Sequence, residues 1–210
     1  MILRLFGTLS FLATAFVLAA GLTTLAYALA TRRRRLARGV AIALGVWIAG
    51  YGATLLGVSA LSHEEILALG TEKPFCGFDC DLAFSAVQVD TRSGIEGLPK
   101  PAGVYYVVSV QARSDAKRVT IQPSDVRLGV VAGDGHLYAP AAELPAGGTR
   151  RALLPRTSCV TEVVFDLPAD VRDPRLVIQE GGWPTRFVIG DENSFGHPKV
   201  VIRLAAPGSV

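Results

Sequence analysis

Three cysteines and three histidines are the side chains in this 210-residue sequence best suited to bind a metal or exchange electrons. Two of the cysteines stand close together in KPFCGFDCDLAF (73–84), as Cys76 and Cys80, and the third is Cys159. The C-x3-C spacing fits few cofactors. Haem attachment needs C-x-x-C-H, and here Asp81 follows Cys80. A thioredoxin-like pair needs C-x-x-C at a helix start. Structural zinc takes four ligands, and His63, His136 and His197 are too far apart in sequence to complete a recognisable set. Three thiolates are soft enough ligands for Cu(I), which makes a copper or redox accessory the competing reading of these residues. No cofactor is expected.

A disulfide is the favoured role for Cys76 and Cys80. Bridged Cα atoms lie within about 7 Å, so the segment must turn, and Gly77 permits a turn. In the chain-entropy model such a short loop contributes roughly 2 kcal/mol, whereas a bridge to Cys159 closes about 80 residues and contributes roughly 4–5 kcal/mol. Cys159 is expected to be a buried free thiol or an alternative partner.

The remaining polar motifs point to no reaction. GDENSF (190–195) places Asp191 and Glu192 beside Asn193 but lacks the ligand spacing of a calcium loop, so a solvated turn is expected. Ser109, Ser158 and Ser194 have no G-x-S-x-G elbow around them. Glycine-rich phosphate loops are absent. Trp183 in GGWPT is expected to serve packing rather than act as a binding platform, and the three histidines to lie on the surface or in loops. No catalytic residue is assigned.

Positioning these residues falls to two quite different parts of the chain. Residues 1–61 carry six charged side chains, all Arg, whereas all 18 acidic residues lie at 64 or beyond. From residue 62 onward 15 Lys and Arg face those 18 acids, so the basic excess belongs to the first third alone. That distribution argues against nucleic acid as a partner.

The first third holds two uncharged apolar runs, Leu5–Ala30 and Gly39–Leu61. At 1.5 Å per residue each exceeds the roughly 30 Å of a hydrocarbon core. Between them lies TRRRRLAR (31–38). Its Arg32, Arg33, Arg34, Arg35 and Arg38 are expected to hold the loop in the cytoplasm, giving an out–in–out hairpin with the rest of the chain exported. The predicted location is the cytoplasmic membrane, multi-pass, with the lipid bilayer as partner. The A-x-A pattern Ala28-Leu29-Ala30 raises a cleaved signal peptide as the competitor, but the run is longer than the usual 7–15-residue apolar region. In the second run Ala41, Gly45, Ala49, Ala53 and Gly57 recur every four residues. This stripe is expected to pack on another helix: the first one, a second copy or another membrane protein.

Beyond a short tether (63–69), residues 70–205 show the two-residue period of half-buried strands, ending in a tail (206–210). GVYYVVSVQAR (103–113) sets Val104, Tyr106, Val108, Val110 and Ala112 on one face. CVTEVVFDL (159–167) does the same with Cys159, Thr161, Val163, Phe165 and Leu167, and KVVIRL (199–204) with Val200, Ile202 and Leu204. Shorter strands are expected at 82–89, 125–131, 136–139, 175–180 and 185–190, with Asp134-Gly135 turning a hairpin. LPAGGTRR (144–151) and LPADVRDP (167–174) read as loops. About eight strands without a helical period predict an all-β antiparallel sandwich behind a two-helix transmembrane hairpin.

The blocks FCGFDCDLAFSAVQV, GVYYVVSVQARSD, DGHLYAP, VVFDLPADVRDPRLVI, WPTRFVIGDENSF and VVIRL occur in that order. In this the sequence resembles a group of bacterial, membrane-anchored extracytoplasmic domains of uncharacterised function, related to telokin-like, immunoglobulin-like proteins. The resemblance spans roughly 70–205 and implies an immunoglobulin-like sandwich. It brings no catalytic residues. The expected function is a membrane-tethered binding or scaffolding module without enzymatic activity.

Overall fold

The computed structural model describes residues 2–75, 81–123, 126–179 and 183–204. The chain forms two compact units. One comprises residues 1–63 and 182–198, and the other 64–181 and 199–210.

The first unit contains helices α1 (Ile2–Ala30) and α2 (Arg34–Leu61). Helix α2 begins five residues before the apolar run, because Arg is a good helix former and the helix continues through Arg34, Arg35 and Arg38. Only Thr31–Arg33 turn the chain, with Arg32 in the left-handed region at φ 57°. The helices meet closely where Gly21 faces Leu44: a Cβ on Gly21 would lie 2.5 Å from the Leu44 Cδ2. The face of α2 that is buried is formed by Ala37, Leu44, Leu55 and Ser59. Ala41, Gly45, Ala49, Ala53 and Gly57 are all exposed. The stripe therefore does not take α1 as its partner, since the larger side chain of Leu44 fills the space that Gly21 leaves.

The second unit is a two-sheet sandwich. Its strands, among the described residues, are β1 (Glu65–Leu67), β2 (Lys73–Phe75), β3 (Leu82–Arg92), β4 (Val104–Ser114), β5 (Arg127–Val131), β6 (Leu137–Tyr138), β7 (Ala142–Leu144), β8 (Ser158–Leu167), β9 (Arg175–Gln179) and β10 (Val200–Arg203). One sheet runs β1-β10-β9-β5-β6 and the other β2-β3-β4-β8-β7. Pairing is antiparallel except between β1 and β10, which run parallel. The expected tether is thus partly sheet: Glu65, Ile66 and Leu67 pair with Val200, Val201 and Ile202. The domain boundary moves to residue 64, and 182–198 leave the sandwich for the helical unit.

The strand alternation places the core where the period predicts it. Val163, Phe165 and Leu167 of β8 are fully buried, opposite Val108, Tyr106 and Val104 of β4. Phe84, Leu176, Ile178, Ile202 and Leu204 complete the same cluster. A β-bulge between Ala86 and Gln88 switches the inward face of β3 from even to odd residues, so Ala86 and Val89 are buried while Val87 is exposed. The outer face of β4 is not wholly solvated either. Tyr105, Val107 and Val164 form a second cluster under Ile95, Leu98 and Ala142, and Tyr105 donates its hydroxyl to the Pro99 carbonyl at 2.5 Å. Asp134-Gly135 does turn the β5–β6 hairpin, with Gly135 at φ 84°.

One expected strand is absent. Thr185–Phe187 form a 3-10 turn within the helical unit. The expected solvated turn at 190–195 is also corrected: Glu192 and Ser194 are buried.

Candidate functional site

A concave surface lies wholly within the helical unit. Small or hydroxylated residues recur at helical spacing on the facing sides of α1 (Gly7, Ser10, Ala13, Thr14) and α2 (Ala43, Gly50, Thr54). With little side-chain volume at these positions, the helices leave a cleft of about 960 Å³ rather than closing on each other. Val46, Trp47 and Val58 make its walls apolar, and Ile189 and Gly190 line one end. The polar groups are hydroxyls: Thr54 returns its own to the Gly50 carbonyl at 2.9 Å, and Tyr51 donates to the Phe187 carbonyl at 2.6 Å. The lining holds no carboxylate, imidazole, amine or thiol. Such a surface suits an apolar ligand or helix and offers no acid–base pair.

The segment Trp183–Pro198 packs against both helices. A Cβ on Gly7 would sit 2.0 Å from the Ile189 carbonyl oxygen, so glycine is what allows that approach. Ser59 and Ser194 hydroxyls are 3.5 Å apart. The rings of Trp183, Phe187 and Phe195 stack edge to face in sequence, with centroids 6.3 and 5.4 Å apart. Trp183, though in ring contact with Phe187, is 80% exposed, and Phe195 is 45% exposed. The short apolar run Phe187–Ile189 reads as a buried strand, because so short a run has no period to tell a strand from a segment packed on helices.

The cysteines divide. Cys76 and Cys80 lie outside the described residues. Cys159 is a free thiol, half-buried at the edge of the sandwich core. Burial pushes this thiol up from its ordinary range, against a smaller opposing pull from the Arg151 charge and the Ala112 backbone. A protonated thiol is a poor nucleophile and metal ligand. With Cys76 and Cys80 replaced by Ser, Cys159 is therefore expected to react with a disulfide reagent more slowly at pH 8 in the folded protein than after unfolding. The gap should narrow as pH rises. Equal rates in the two states would show that burial does not protect it.

Among the described residues no three His, Cys, Asp or Glu side chains gather as a metal set. His63 and His136 are exposed and His197 is half-buried. Arg32, Arg33, Arg34, Arg35 and Arg38 cluster at the α1–α2 turn, where Arg33 lies 6.0 Å from the centre of the Tyr27 ring.

The sandwich holds one unexpected polar feature. Lys73 is 3% exposed. Its Nζ crosses from one sheet to the other and donates to the carbonyls of Ile178 at 2.5 Å and Val200 at 3.2 Å. The Phe75 ring lies 5.0 Å from it.

No family model matches the chain, and no curated protein matches it. Its structure is similar to that of MPT63, a secreted protein from Mycobacterium tuberculosis, at 13% identity and a TM-score of 0.45 over 57% of this chain and 92% of that one. It is also similar to an uncharacterized β-sandwich protein from Clostridium difficile 630, at 14% identity and a TM-score of 0.42 over 69% and 96%. Neither likeness carries an assignment of activity.

Proposed function

We propose that this protein is a two-pass membrane protein whose immunoglobulin-like sandwich stands on the extracytoplasmic face as a binding or scaffolding module without catalytic activity. The observation that carries the reading is the exposure of the two apolar helices. Only 6% of the most apolar stretch of α1 and 11% of that of α2 is buried. A core helix of a water-soluble protein hides such a surface, whereas a bilayer covers it. The close contact of Gly21 with Leu44 supports a retained helix pair over a cleaved leader. The five Arg at their turn support a cytoplasmic hairpin tip. The apolar cleft supports binding of another helix or an acyl chain over turnover of a polar substrate. The shielded Cys159 thiol speaks against a copper or redox role.

Reporter fusions test the topology. A fusion after residue 35 is expected to be active in the cytoplasm, and one after residue 70 only in the exported compartment. Cytoplasmic activity from a fusion at residue 100 would overturn the assignment. Native-membrane crosslinking at residues of the cleft would identify what occupies it.

A further inference from the structure

The connection between β9 and β10 has an odd attachment for a loop of an exported domain. It is fastened to α2 at Tyr51, ten residues short of the helix end at Leu61, or about 15 Å along the axis. If the apolar core begins at Gly39, beside the last Arg, then a core of about 30 Å ends near Ser59. Tyr51 lies about 12 Å inside that boundary. The Phe187 carbonyl that accepts its hydroxyl is drawn below the surface with it. Ser194, by contrast, meets Ser59 at the boundary itself.

Phe187, Val188 and Ile189 form the apolar run that meets the helices, with Arg186 exposed beside it, and Asp191, Glu192 and Asn193 follow before the chain reaches Ser194 at the boundary. Backbone groups in hydrocarbon must find partners within the protein. Here the Phe187 amide donates to the Pro184 carbonyl and the Val188 amide to that of Thr185, both at 3.0 Å. The Phe187 carbonyl takes the Tyr51 hydroxyl. Asn193 donates its amide to the Asp191 carboxylate at 2.7 Å. Trp183 and Phe195 remain exposed, at 80% and 45%, in one edge-to-face aromatic chain with Phe187. Facing water, that cluster would be a costly apolar patch. At a membrane interface, amphipathic aromatic rings are the preferred residues.

We propose that residues 183–198 form a third membrane-embedded element, a re-entrant strap that dips into the outer leaflet across α1 and α2, with Trp183 and Phe195 anchored among the lipids. The partner of this surface is the bilayer. The proposal rests on α1 and α2 spanning the membrane and goes beyond it, because a spanning pair does not require the loop to enter.

The sequence has two tryptophans, Trp47 in the middle of α2 and Trp183 in the strap, so two single-tryptophan proteins separate the claims. Full-length Trp47→Phe and Trp183→Phe variants would be reconstituted into phosphatidylcholine vesicles containing lipids brominated near the headgroup or deep in the acyl chain. Trp183 emission is expected to fall by about half with shallow bromines and to resist aqueous iodide, as for an interfacial indole. Trp47 is expected to be quenched by deep bromines. Quenching of Trp47 together with iodide-accessible, bromine-insensitive Trp183 would overturn the strap while leaving the spanning pair intact. Loss of lipid quenching at both would overturn the spanning pair and the strap with it.

Discussion

Phe165→Asp is expected to leave no folded sandwich. Phe165 is fully buried in β8, paired across from Tyr106 of β4. Its cluster is made of apolar side chains from both sheets, with Phe84, Leu176 and Ile202 among them. An aspartate there must bury an unpaired carboxylate, take up a proton, or drag β8 out of the sheet. The lost aromatic volume alone costs about 3–5 kcal/mol, and the polar group adds to it. Domains of this size have only about 5–15 kcal/mol in hand. Val160→Asp, on the same strand but 54% exposed, should change stability by no more than about 0.5 kcal/mol. Both are read from near-ultraviolet circular dichroism and protease resistance of the full chain in detergent. A Phe165→Asp protein that melts within a few degrees of wild type would show that the sheet faces have been assigned wrongly.

The second large effect is expected at Lys73. Burying an ammonium is costly unless hydrogen bonds replace its water. In this site two carbonyls from the opposite sheet, Ile178 of β9 and Val200 of β10, and the face of Phe75 supply that replacement. Lys73 thereby ties β2, at the edge of one sheet, to two strands of the other. Lys73→Ala removes the donors and leaves the carbonyls facing a cavity. A loss of about 2–4 kcal/mol is expected: two charge-assisted bonds of roughly 1.5–3 kcal/mol each and the packing of the stem are lost, partly offset because the ammonium no longer has to be buried. Lys73→Met keeps the stem and abolishes the buried charge, so it should lose less than Lys73→Ala. Denaturant midpoints of the full chain decide this. If both variants match wild type, the inter-sheet bonds contribute nothing net.

Why Lys73 was invisible in the sequence is physically clear. β2 contains three residues, too few to show a period, and Lys at its first position reads as solvated. The acceptors lie 105 and 127 residues away. The same holds for β1 and β7, also of three residues, which exist because longer strands β10 and β8 offer them edges. The 185–190 segment erred in the other direction. Its apolar residues Phe187, Val188 and Ile189 form a run short enough to read as a buried strand, but it pairs with none of the described strands and α1 and α2 take it instead.

Local sequence was enough for the two apolar helices, the arginine turn between them, the inward faces of β4 and β8 and the hairpin at Asp134-Gly135. Each of these depends on residues within a few positions of one another: an uninterrupted apolar run, a two-residue period, a glycine that accepts positive φ. Long-range packing settles that Gly21 rather than the Ala and Gly stripe receives the other helix, that Lys73 bridges the sheets, and that the β9–β10 connection leaves the sandwich for the helices. In each case the deciding contact joins residues far apart in the chain, and which of two compatible surfaces wins depends on the volume and hydrogen bonds of a partner that local composition does not name.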